Sequence, residues 1–242
     1  MIRIYYMKLD GDCSKEQSLA LYGMLPKERK ESVDRARNQE IAKKRLYTGA
    51  FLQYVLSKEL GVSCECLQYV FNEWGKPELD MVAMQRKGIL DNELQVYFNL
   101  SHSGNYAILA VSNGPVGIDI EHKKRGYEAL SKRCFCEEEY EDIMAAEPEE
   151  DRIQRFLEYW TMKEAYIKWV GEGLRIPLNS FLIKRGEDGI SSIVGKTGRF
   201  GTYFLDDEYC VSVFSACVKD VEAIVKRRES IIQVSMIEMK NI

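Results

Sequence analysis

Two acidic residues, Asp119 and Glu121, stand two positions apart in a short apolar stretch, Gly117-Ile-Asp-Ile-Glu121. If this stretch is a β-strand, both carboxylates point to one face while Ile118 and Ile120 point into the core. Such a pair most often faces solvent on the open side of a sheet. The alternative is a site for a hard cation, because carboxylate oxygens are the ligands that Mg²⁺ and similar ions prefer.

A third carboxylate, Glu164, lies in Trp160-Thr-Met-Lys-Glu-Ala-Tyr-Ile-Lys168, where apolar residues recur at three- and four-residue steps, as in a helix. Lys163 and Glu164 fall on the apolar stripe of that helix. A carboxylate on the buried side of a helix is costly unless a charge or a metal ion compensates it. Glu164 is an ordinary surface residue if the helix is rotated by one position from the phase that the pattern indicates.

Together, the three carboxylates predict a divalent-cation site built from Asp119, Glu121 and Glu164. Mg²⁺ takes octahedral oxygen ligands and usually keeps waters and substrate phosphates in its shell, and Mn²⁺ suits the same ligands. Lys163 and Lys168 could hold such a phosphate as flexible point charges. The sequence therefore favours a phosphorylated ligand at this site.

The chain has two histidines, which limits the catalytic schemes open to it. A zinc site with three histidines is excluded. His102 lies in a Ser101-His-Ser103 segment, where small residues would let a phosphate approach, although an ordinary turn histidine fits the pattern equally well. His122 is interpreted as structural. The Gly75-Lys-Pro77 segment predicts a turn and by itself indicates no ligand.

The composition is that of an ordinary soluble globular protein, with 45% hydrophobic and 30% charged residues among 242. No apolar run is long enough to span a membrane, and the N-terminus lacks the pattern of a secretion signal. Seven cysteines without such a signal predict reduced thiols and a cytoplasmic protein. The Cys-x-Cys pairs at 64–66 and 134–136 lack the usual spacing of structural zinc sites.

The net charge of −4 argues against nucleic acid as a partner. Residues 27–45 nevertheless carry eight basic and four acidic side chains. Most of these are expected to form a solvated helical surface with ion pairs four residues apart. One or two could instead face a phosphate, and composition does not decide between the two readings.

The apolar patterning predicts an α+β protein. Strands are expected at 2–8, 67–73, 96–100, 106–112, 116–121, 179–184, 190–195, 200–205 and 209–218, and helices at 26–37, 38–60, 126–133, 137–146 and 152–170. The polar segment 80–93 is predicted to be a loop. Strand, helices and strands follow in that order twice, so we predict two similar halves, residues 1–115 and 116–220, with a C-terminal extension at 221–242.

Four motifs, in order, give the chain a resemblance to a known family. They are Trp74-Gly-Lys-Pro77, Phe98-Asn-Leu-Ser-His-Ser-Gly104, Gly117-Ile-Asp-Ile-Glu121 and Trp160-Thr-Met-Lys-Glu-Ala-Tyr-Ile-Lys168. Over roughly residues 2 to 218, the chain resembles the 4′-phosphopantetheinyl transferases of the larger, surfactin-synthetase-activating type. Each motif is modest alone, and their order and spacing make the resemblance strong.

The resemblance implies a fold and an activity. Members of that family move the phosphopantetheine arm of coenzyme A to a serine of an acyl or peptidyl carrier protein and release adenosine 3′,5′-bisphosphate. Their fold consists of two pseudo-duplicated α+β halves with the active site between them. The expected partners are therefore coenzyme A and a small acidic carrier protein, which would dock near residues 171–177. Two halves in one chain would make a monomer sufficient.

The resemblance also implies roles for the charged residues of the two acidic motifs. Asp119, Glu121 and Glu164 would bind Mg²⁺ and, through it, the pyrophosphate of coenzyme A. Lys163 and Lys168 would steady that pyrophosphate.

Further contacts with the coenzyme are implied outside these motifs. They are Ser101 and His102 at the phosphates, Lys76 and Pro77 in the nucleotide pocket, and Arg45 at the 3′-phosphate, with Lys27, Arg29 and Lys30 as further candidates for that phosphate. Among these three we prefer Lys30.

The nucleophile in this family is a serine of the carrier protein, so no catalytic serine or cysteine is expected in this chain. Negative charge develops on phosphate oxygens as the nucleotide leaves, and Mg²⁺ with the lysines would stabilise it. Glu164 is expected to take the serine proton, directly or through a metal-bound water. A second water polarised by Mg²⁺ is the alternative base. Glu164, Lys168 and His102 are thus the expected catalytic residues.

Two other functions compete with carrier activation. A Mg²⁺-dependent phosphohydrolase with the same carboxylates would release phosphate from a coenzyme A-like nucleotide in the absence of a carrier. A non-enzymatic coenzyme A-binding module would bind its ligand without magnesium dependence. Neither accounts for the adjacent Lys163 and Glu164 together with the Ser101-His-Ser103 segment.

Overall fold

A computed structural model of the chain describes residues 1–123, 127–186, 188–227 and 231–239. Within these ranges the chain has the α+β fold that the sequence predicted. The helices are α1 (Lys15–Gly23), α2 (Lys27–Asp34), α3 (Gln39–Leu60), α4 (Met81–Arg86), α5 (Tyr127–Cys134), α6 (Glu137–Ala145), α7 (Glu149–Val170), α8 (Val218–Arg227) and α9 (Met236–Met239). The strands are β1 (Ile2–Lys8), β2 (Tyr69–Phe71), β3 (Pro77–Leu79), β4 (Tyr97–Ser103), β5 (Tyr106–Ser112), β6 (Val116–His122), β7 (Ile183–Lys184), β8 (Ile190–Ile193), β9 (Arg199–Leu205), β10 (Tyr209–Ser215) and β11 (Ile231–Gln233).

The described chain contains two main β-sheets, and apart from β11 the strands of the first sheet precede those of the second in the sequence. The first sheet has the order β11-β1-β5-β4, in which β5 is antiparallel to both neighbours and β11 is parallel to β1. The second sheet has the order β6-β10-β9-β8-β7 and is antiparallel throughout. The strands β2 and β3 form a separate hairpin.

Each sheet is covered by one long helix. The helix α3 is capped at its N-terminus by Asn38, whose side chain accepts a hydrogen bond from a backbone N–H, and at its C-terminus by Gly61, with a φ of 66°. Its buried face packs with β5 around Phe51. The helix α7 packs across β6 and β10 and ends at Gly171, with a φ of 86°.

The contact between α7 and β6 depends on a glycine. A Cβ atom added at Gly117 would stand 2.0 Å from the backbone oxygen of Ala165 and 2.7 Å from the backbone nitrogen of Trp169. The two backbones therefore touch without an intervening side chain. This close approach sets α7 directly above the strand that carries the paired carboxylates.

The two sheets meet edge to edge at β4 and β6. Alternate side chains of β4 point at β6 and accept hydrogen bonds from its backbone N–H groups, which a sheet edge would otherwise leave unpaired. The pairs are Asn99 with Ile118 at 2.9 Å, Ser101 with Ile120 at 3.4 Å, and Ser103 with His122 at 3.2 Å. This row of side-chain bonds joins the two halves along the line where the candidate site lies.

Several local predictions differ from the structure. The segment 80–93, predicted to be a loop, contains α4, which Asp80 caps at its N-terminus through its side chain. The predicted strand 179–184 is a short 3₁₀ turn, Leu178–Ser180, followed by the two-residue strand β7. The helices α1, α8 and α9 and the strands β3 and β11 were not predicted. The predicted helix 126–133 and the extension 221–242 include residues outside the described ranges, and the described part of the extension contributes β11 to the first sheet.

Candidate active site

Three polar atoms form a closed triangle where β4, β6 and α7 meet. The Lys168 Nζ atom donates to Asp119 Oδ1 and to Ser101 Oγ, each over 2.7 Å. The Ser101 hydroxyl in turn donates to Asp119 Oδ1, also over 2.7 Å. Asp119 and Ser101 are buried, and the Lys168 side chain is 27% exposed. Each of the three elements thus contributes one member of a hydrogen-bonded ion-pair cluster.

The other two predicted ligands lie beside this triangle. Glu121 follows Asp119 by two residues in β6, and its Oε1 atom accepts a hydrogen bond of 3.0 Å from Ser103. Burial raises the pKa of the half-buried Glu164, the negative charge of Asp119 raises it further, and Lys168 opposes both effects. Burial also raises the pKa of Asp119, despite its pairing with Lys168.

The three carboxylates are close enough to repel one another, but they are not preassembled as a coordination shell. The charge of Glu121, like that of Asp119, contributes to the raised pKa of Glu164. Among the described residues, however, no group of three or more His, Cys, Asp or Glu side chains is arranged to hold a metal ion. In this conformation the cation next to Asp119 is the Lys168 ammonium, 2.7 Å from Oδ1.

A group of basic side chains faces His102. Partial desolvation lowers the pKa of this imidazole, and the positive charges of Lys168, Arg29 and Lys44 lower it further. Burial lowers the pKa of Arg29 as well. One cation from each of α2, α3 and α7 is thus near enough for its charge to act on the His102 ring. Such a concentration of positive charge is suited to binding phosphate groups.

A cavity of about 320 Å³ opens between the β2–β3 hairpin, β4 and α7. Its lining includes Glu164 and Lys168 from α7 and Lys76 and Pro77 from the hairpin. A second cavity, of about 260 Å³, shares Gly75 and Pro77 with the first and is lined by Arg29, Tyr69 and Phe71, among others. The turn at residues 75–77 thus lies between two adjoining cavities, one next to the triangle and one beneath α2.

The β2–β3 hairpin is fastened to the C-terminal end of α7. The Asn72 side chain donates to the Gly171 carbonyl over 3.0 Å, and the Lys76 ammonium lies 3.4 Å from the Trp169 carbonyl. The guanidinium of Arg175 stacks on the Trp74 ring at 4.0 Å from its centre. These contacts fix the position of Lys76 relative to the cavity, and burial lowers the pKa of its ammonium.

The structure corrects the expectation for Lys163. Its ammonium is fully buried on the far side of α7, where it pairs with Glu139 at 2.8 Å. It also donates to the carbonyl oxygens of Leu178 and Phe181 over 2.7 and 2.6 Å. A group enclosed in this way cannot contact a pyrophosphate. Successive helical residues point about 100° apart, so Lys163 faces the core while Glu164 faces the cavity.

The two residues that we preferred for the 3′-phosphate make other contacts. Lys30 donates to the Gly23 carbonyl over 3.2 Å and lies against the ring of Tyr22. Arg45 is exposed and donates to the carbonyl of Ser32. The charges with the largest effects on the pKa of His102 belong to other residues.

The residues of the site that the sequence did not reveal mainly position the functional side chains or the elements that carry them. They are Asn72, which anchors the hairpin, Asn99 and Ser103, which pair with β6, Gly117, which admits α7, and Glu139, which binds Lys163. The alternation of polar residues at 99, 101 and 103 was visible in the sequence as a strand with one polar face. No pattern in the sequence links Glu139 to Lys163.

Two observations concern the chain as a whole. Within the part that the structure describes, none of the helices combines the length and the apolar character needed to cross a membrane. All seven cysteines are free thiols.

Comparison with known proteins identifies relatives along nearly the whole chain. A family model described as "4′-phosphopantetheinyl transferase, N-terminal" matches residues 12–114, and one described as "4′-phosphopantetheinyl transferase superfamily" matches residues 115–226. A 4′-phosphopantetheinyl transferase of Bacillus subtilis is 30% identical over 89% of this chain and 92% of its own length. The 4′-phosphopantetheinyl transferase Sfp of Bacillus subtilis strain 168 is 29% identical with the same coverage. The 4′-phosphopantetheinyl transferase gsp of Aneurinibacillus migulanus is 29% identical over 77% of this chain and 73% of its own.

Proposed function

This chain belongs to the 4′-phosphopantetheinyl transferase superfamily, and we propose that the cluster of Ser101, Asp119 and Lys168 is the centre of its active site. The reaction is transfer of the 4′-phosphopantetheine arm of coenzyme A to a carrier-protein serine, with release of adenosine 3′,5′-bisphosphate. The similarities do not support the competing phosphohydrolase. Two successive family matches are consistent with the pseudo-duplicated architecture.

The observation that carries the proposal is the triangle itself. A primary ammonium, a hydroxyl and a carboxylate meet within 2.7 Å of one another beside a cavity that also contains Glu164. The ammonium of Lys168 and the hydroxyl of Ser101 are donors suited to pyrophosphate oxygens. We assign them, with His102, to that group of coenzyme A. In the transfer step, Lys168 and His102 stabilise the charge that develops on the leaving phosphate.

The donor set at this site suits a hard divalent cation. Asp119, Glu121 and Glu164 supply only oxygen atoms, and their mutual repulsion, visible in the raised pKa of Glu164, favours a compensating positive charge. We propose that these three hold Mg²⁺, or Mn²⁺, after their side chains adjust. When bound, the cation would supply Lewis-acid stabilisation to the phosphate oxygens.

Glu164 is proposed as the base that takes the proton from the carrier serine. Its side chain lines the cavity, and its pKa is raised by burial and by the neighbouring carboxylates. A carboxylate whose pKa lies above its ordinary value accepts a proton more readily at neutral pH. Its position therefore suits the residue to this role, either directly or through an intervening water.

The nucleotide is assigned to the turn between the two cavities. Lys76 and Pro77 line the cavity that also contains Lys168, so a nucleotide there would keep its pyrophosphate next to the triangle. For the 3′-phosphate we now favour Arg29, one of the candidates considered before, and add Lys44, because their charges act on His102. Lys30 and Arg45 remain candidates that would first have to exchange their present backbone contacts.

The carrier protein is proposed to dock beside the segment that follows α7. Glu172, Gly173 and Arg175 are exposed there, and Gly173 also lines the cavity next to Glu164. A serine presented from this side would reach the proposed base. We further propose that the protein works in the cytoplasm, in keeping with its free thiols, and that it is a monomer, because one chain supplies both halves of the site.

The test is mass spectrometry of apo carrier proteins incubated with coenzyme A, Mg²⁺ and the full chain. We expect the mass of the phosphopantetheine arm to be added to at least one carrier. Glu164→Gln should abolish transfer while coenzyme A still binds, as measured by calorimetry. Glu141→Gln, on the exposed side of α6, is the matched control and should transfer normally. Near-normal turnover in Glu164→Gln would remove this residue from the mechanism.

A further inference from the structure

The hydrogen-bonding capacity of the triangle is largely used by its own members. The single hydroxyl hydrogen of Ser101 is donated to Asp119, and its oxygen accepts from Lys168 and from the Ile120 N–H. The same Asp119 oxygen accepts from both partners. In this arrangement Ser101 has no hydrogen left to donate to a phosphate, and the positive charge of Lys168 is neutralised by Asp119.

We propose that Lys168 is an internal counter-ion of Asp119, and that it must leave this carboxylate before a divalent cation can bind there. Its departure frees both the ammonium and the Ser101 hydroxyl for the phosphates of coenzyme A. Cation binding and coenzyme binding are therefore coupled through a single side chain. This inference rests on the proposed function in one respect, namely that Asp119 is a ligand of the cation.

Electrostatics disfavours the simultaneous presence of both cations at Asp119. A divalent ion coordinated to Oδ1 would lie within a few ångströms of an ammonium that is 2.7 Å from the same atom. Two like charges at that separation repel strongly in a partly buried site. The ion and Lys168 Nζ also compete for the lone pairs of one oxygen.

Lys168 has both the freedom and the space to move. A lysine carries its charge on a flexible four-carbon stem, and this one is 27% exposed and lines the cavity of about 320 Å³. A short rotation of the side chain would carry the ammonium from Asp119 into that cavity, where the pyrophosphate is proposed to lie. The ammonium would then pair with the phosphate groups of the ligand instead of with the Asp119 carboxylate.

The coupling has a direct thermodynamic consequence. In the free protein, the cost of displacing Lys168 offsets part of the binding free energy of the divalent cation. Removal of the ammonium should therefore strengthen binding of that cation. Because coupling is reciprocal, whatever displaces Lys168 for one ligand favours the other. A lysine that merely contacted the coenzyme would leave the affinity for the cation alone almost unchanged.

The experiment is a titration of the full chain with Mn²⁺ in the absence of coenzyme A, with the free ion followed by electron paramagnetic resonance at fixed ionic strength. We compare the wild type with Lys168→Met, and with Lys44→Met as a control that removes a nearby charge not paired to Asp119. We expect the Kd for Mn²⁺ to fall about tenfold in Lys168→Met and less than about twofold in the control. Lys168→Gln should behave like Lys168→Met and serves in its place if the latter does not fold.

Each other outcome overturns a different statement. Equal Kd values for the wild type and the Lys168 variants, with binding that is lost in Asp119→Asn, would leave the proposed cation site intact and refute the counter-ion role. An equal fall in Lys168→Met and Lys44→Met would show a general field effect and refute it too. Failure of every variant to bind Mn²⁺ would overturn the cation site of the proposed function, and the inference with it.

Discussion

Lys163 and Glu139 form an ion pair of 2.8 Å in which neither side chain is exposed to solvent. Glu139 also accepts the N–H of Ile183 over 2.7 Å, and Lys163 donates to the Phe181 carbonyl. The pair thus ties α6 and α7 to the segment that enters β7. By fixing the rotation of α7, it directs the next residue, Glu164, into the cavity.

Removal of one member of this pair should strongly destabilise the folded protein. We expect Lys163→Met to lower the free energy of unfolding by about 3–5 kcal/mol, because Glu139 would be left as an unpaired buried charge. The measurement is urea-induced unfolding followed by circular dichroism. The double variant Lys163→Met with Glu139→Gln, which removes both charges, should recover most of the loss.

The same double variant separates a positioning role from ligand contact. If Lys163 only orients α7, the folded double variant should bind coenzyme A with a KM close to that of the wild type, while kcat falls as Glu164 loses its fixed direction. A large rise in KM with unchanged kcat would instead indicate that Lys163 touches the coenzyme, contrary to its buried position.

The contrast between Lys163 and Glu164 shows how far the sequence could predict this site. Helical periodicity placed both on the apolar stripe, and the period-two alternation of a strand set Asp119 and Glu121 on one face, because both are local rules. Whether a residue on the stripe faces the core or a cavity depends on what packs against it. For Lys163 that partner is Glu139, which no local pattern identifies.

Prediction of the fold from the sequence has the same limit, because local patterns do not identify tertiary partners. Strands β1, β5, β6 and β10 have strong apolar patterns and were predicted close to their observed bounds. The short helix α4 was missed because its sequence is polar at one end and bordered by loop residues. The pairing of β11 with β1 joins residues more than two hundred positions apart, and such pairing depends on the tertiary fold.

Gly117 should tolerate no side chain. A Cβ atom there would lie 2.0 Å from a backbone oxygen of α7, and backbone atoms cannot rotate aside as a side chain would. We expect Gly117→Ala to lower the free energy of unfolding by about 3 kcal/mol or more and to separate α7 from β6, with loss of transfer. Gly114→Ala is the matched control, because nothing lies within 4 Å of its added Cβ. Equal stability of the two variants, measured by urea unfolding, would contradict the close contact.

Glu164 should destabilise the ligand-free protein at neutral pH. Burial and Asp119 raise its pKa above the ordinary value of 4.5, so the folded protein favours the protonated form. The resulting stabilisation is complete below the unfolded pKa and is lost as the pH rises through the folded pKa. Glu164→Gln, which mimics the protonated side chain, should therefore raise the Tm at pH 8 by about 2 °C.

This gain should shrink as the pH is lowered towards 4.5, where the wild-type glutamate becomes protonated. Thermal melts of both proteins between those limits provide the measurement. A Tm difference that stays constant with pH, or that grows on acidification, would show that the carboxylate is not held in an unfavourable charged state.

The 3′-phosphate offers a test that distinguishes four basic residues. The charges of Arg29 and Lys44 act on His102, whereas Lys30 bonds to the Gly23 carbonyl at the end of α1 and Arg45 to the Ser32 carbonyl in α2. If the first two bind the phosphate, Arg29→Gln and Lys44→Gln should each reduce the preference for coenzyme A over 3′-dephospho-coenzyme A by about tenfold, the value expected for a charge-assisted hydrogen bond. Lys30→Gln should change it less than about twofold.

The ratio of kcat/KM for the two substrates is the appropriate measurement, because a general loss of activity cancels in it. Arg45→Ala decides whether the exposed guanidinium joins the site when the ligand binds. A reduced preference in Arg45→Ala alone, with Arg29→Gln and Lys44→Gln unchanged, would indicate that the 3′-phosphate binds at Arg45 and not at the cations around His102. Unchanged ratios in all four variants would place the 3′-phosphate outside this group of cations altogether.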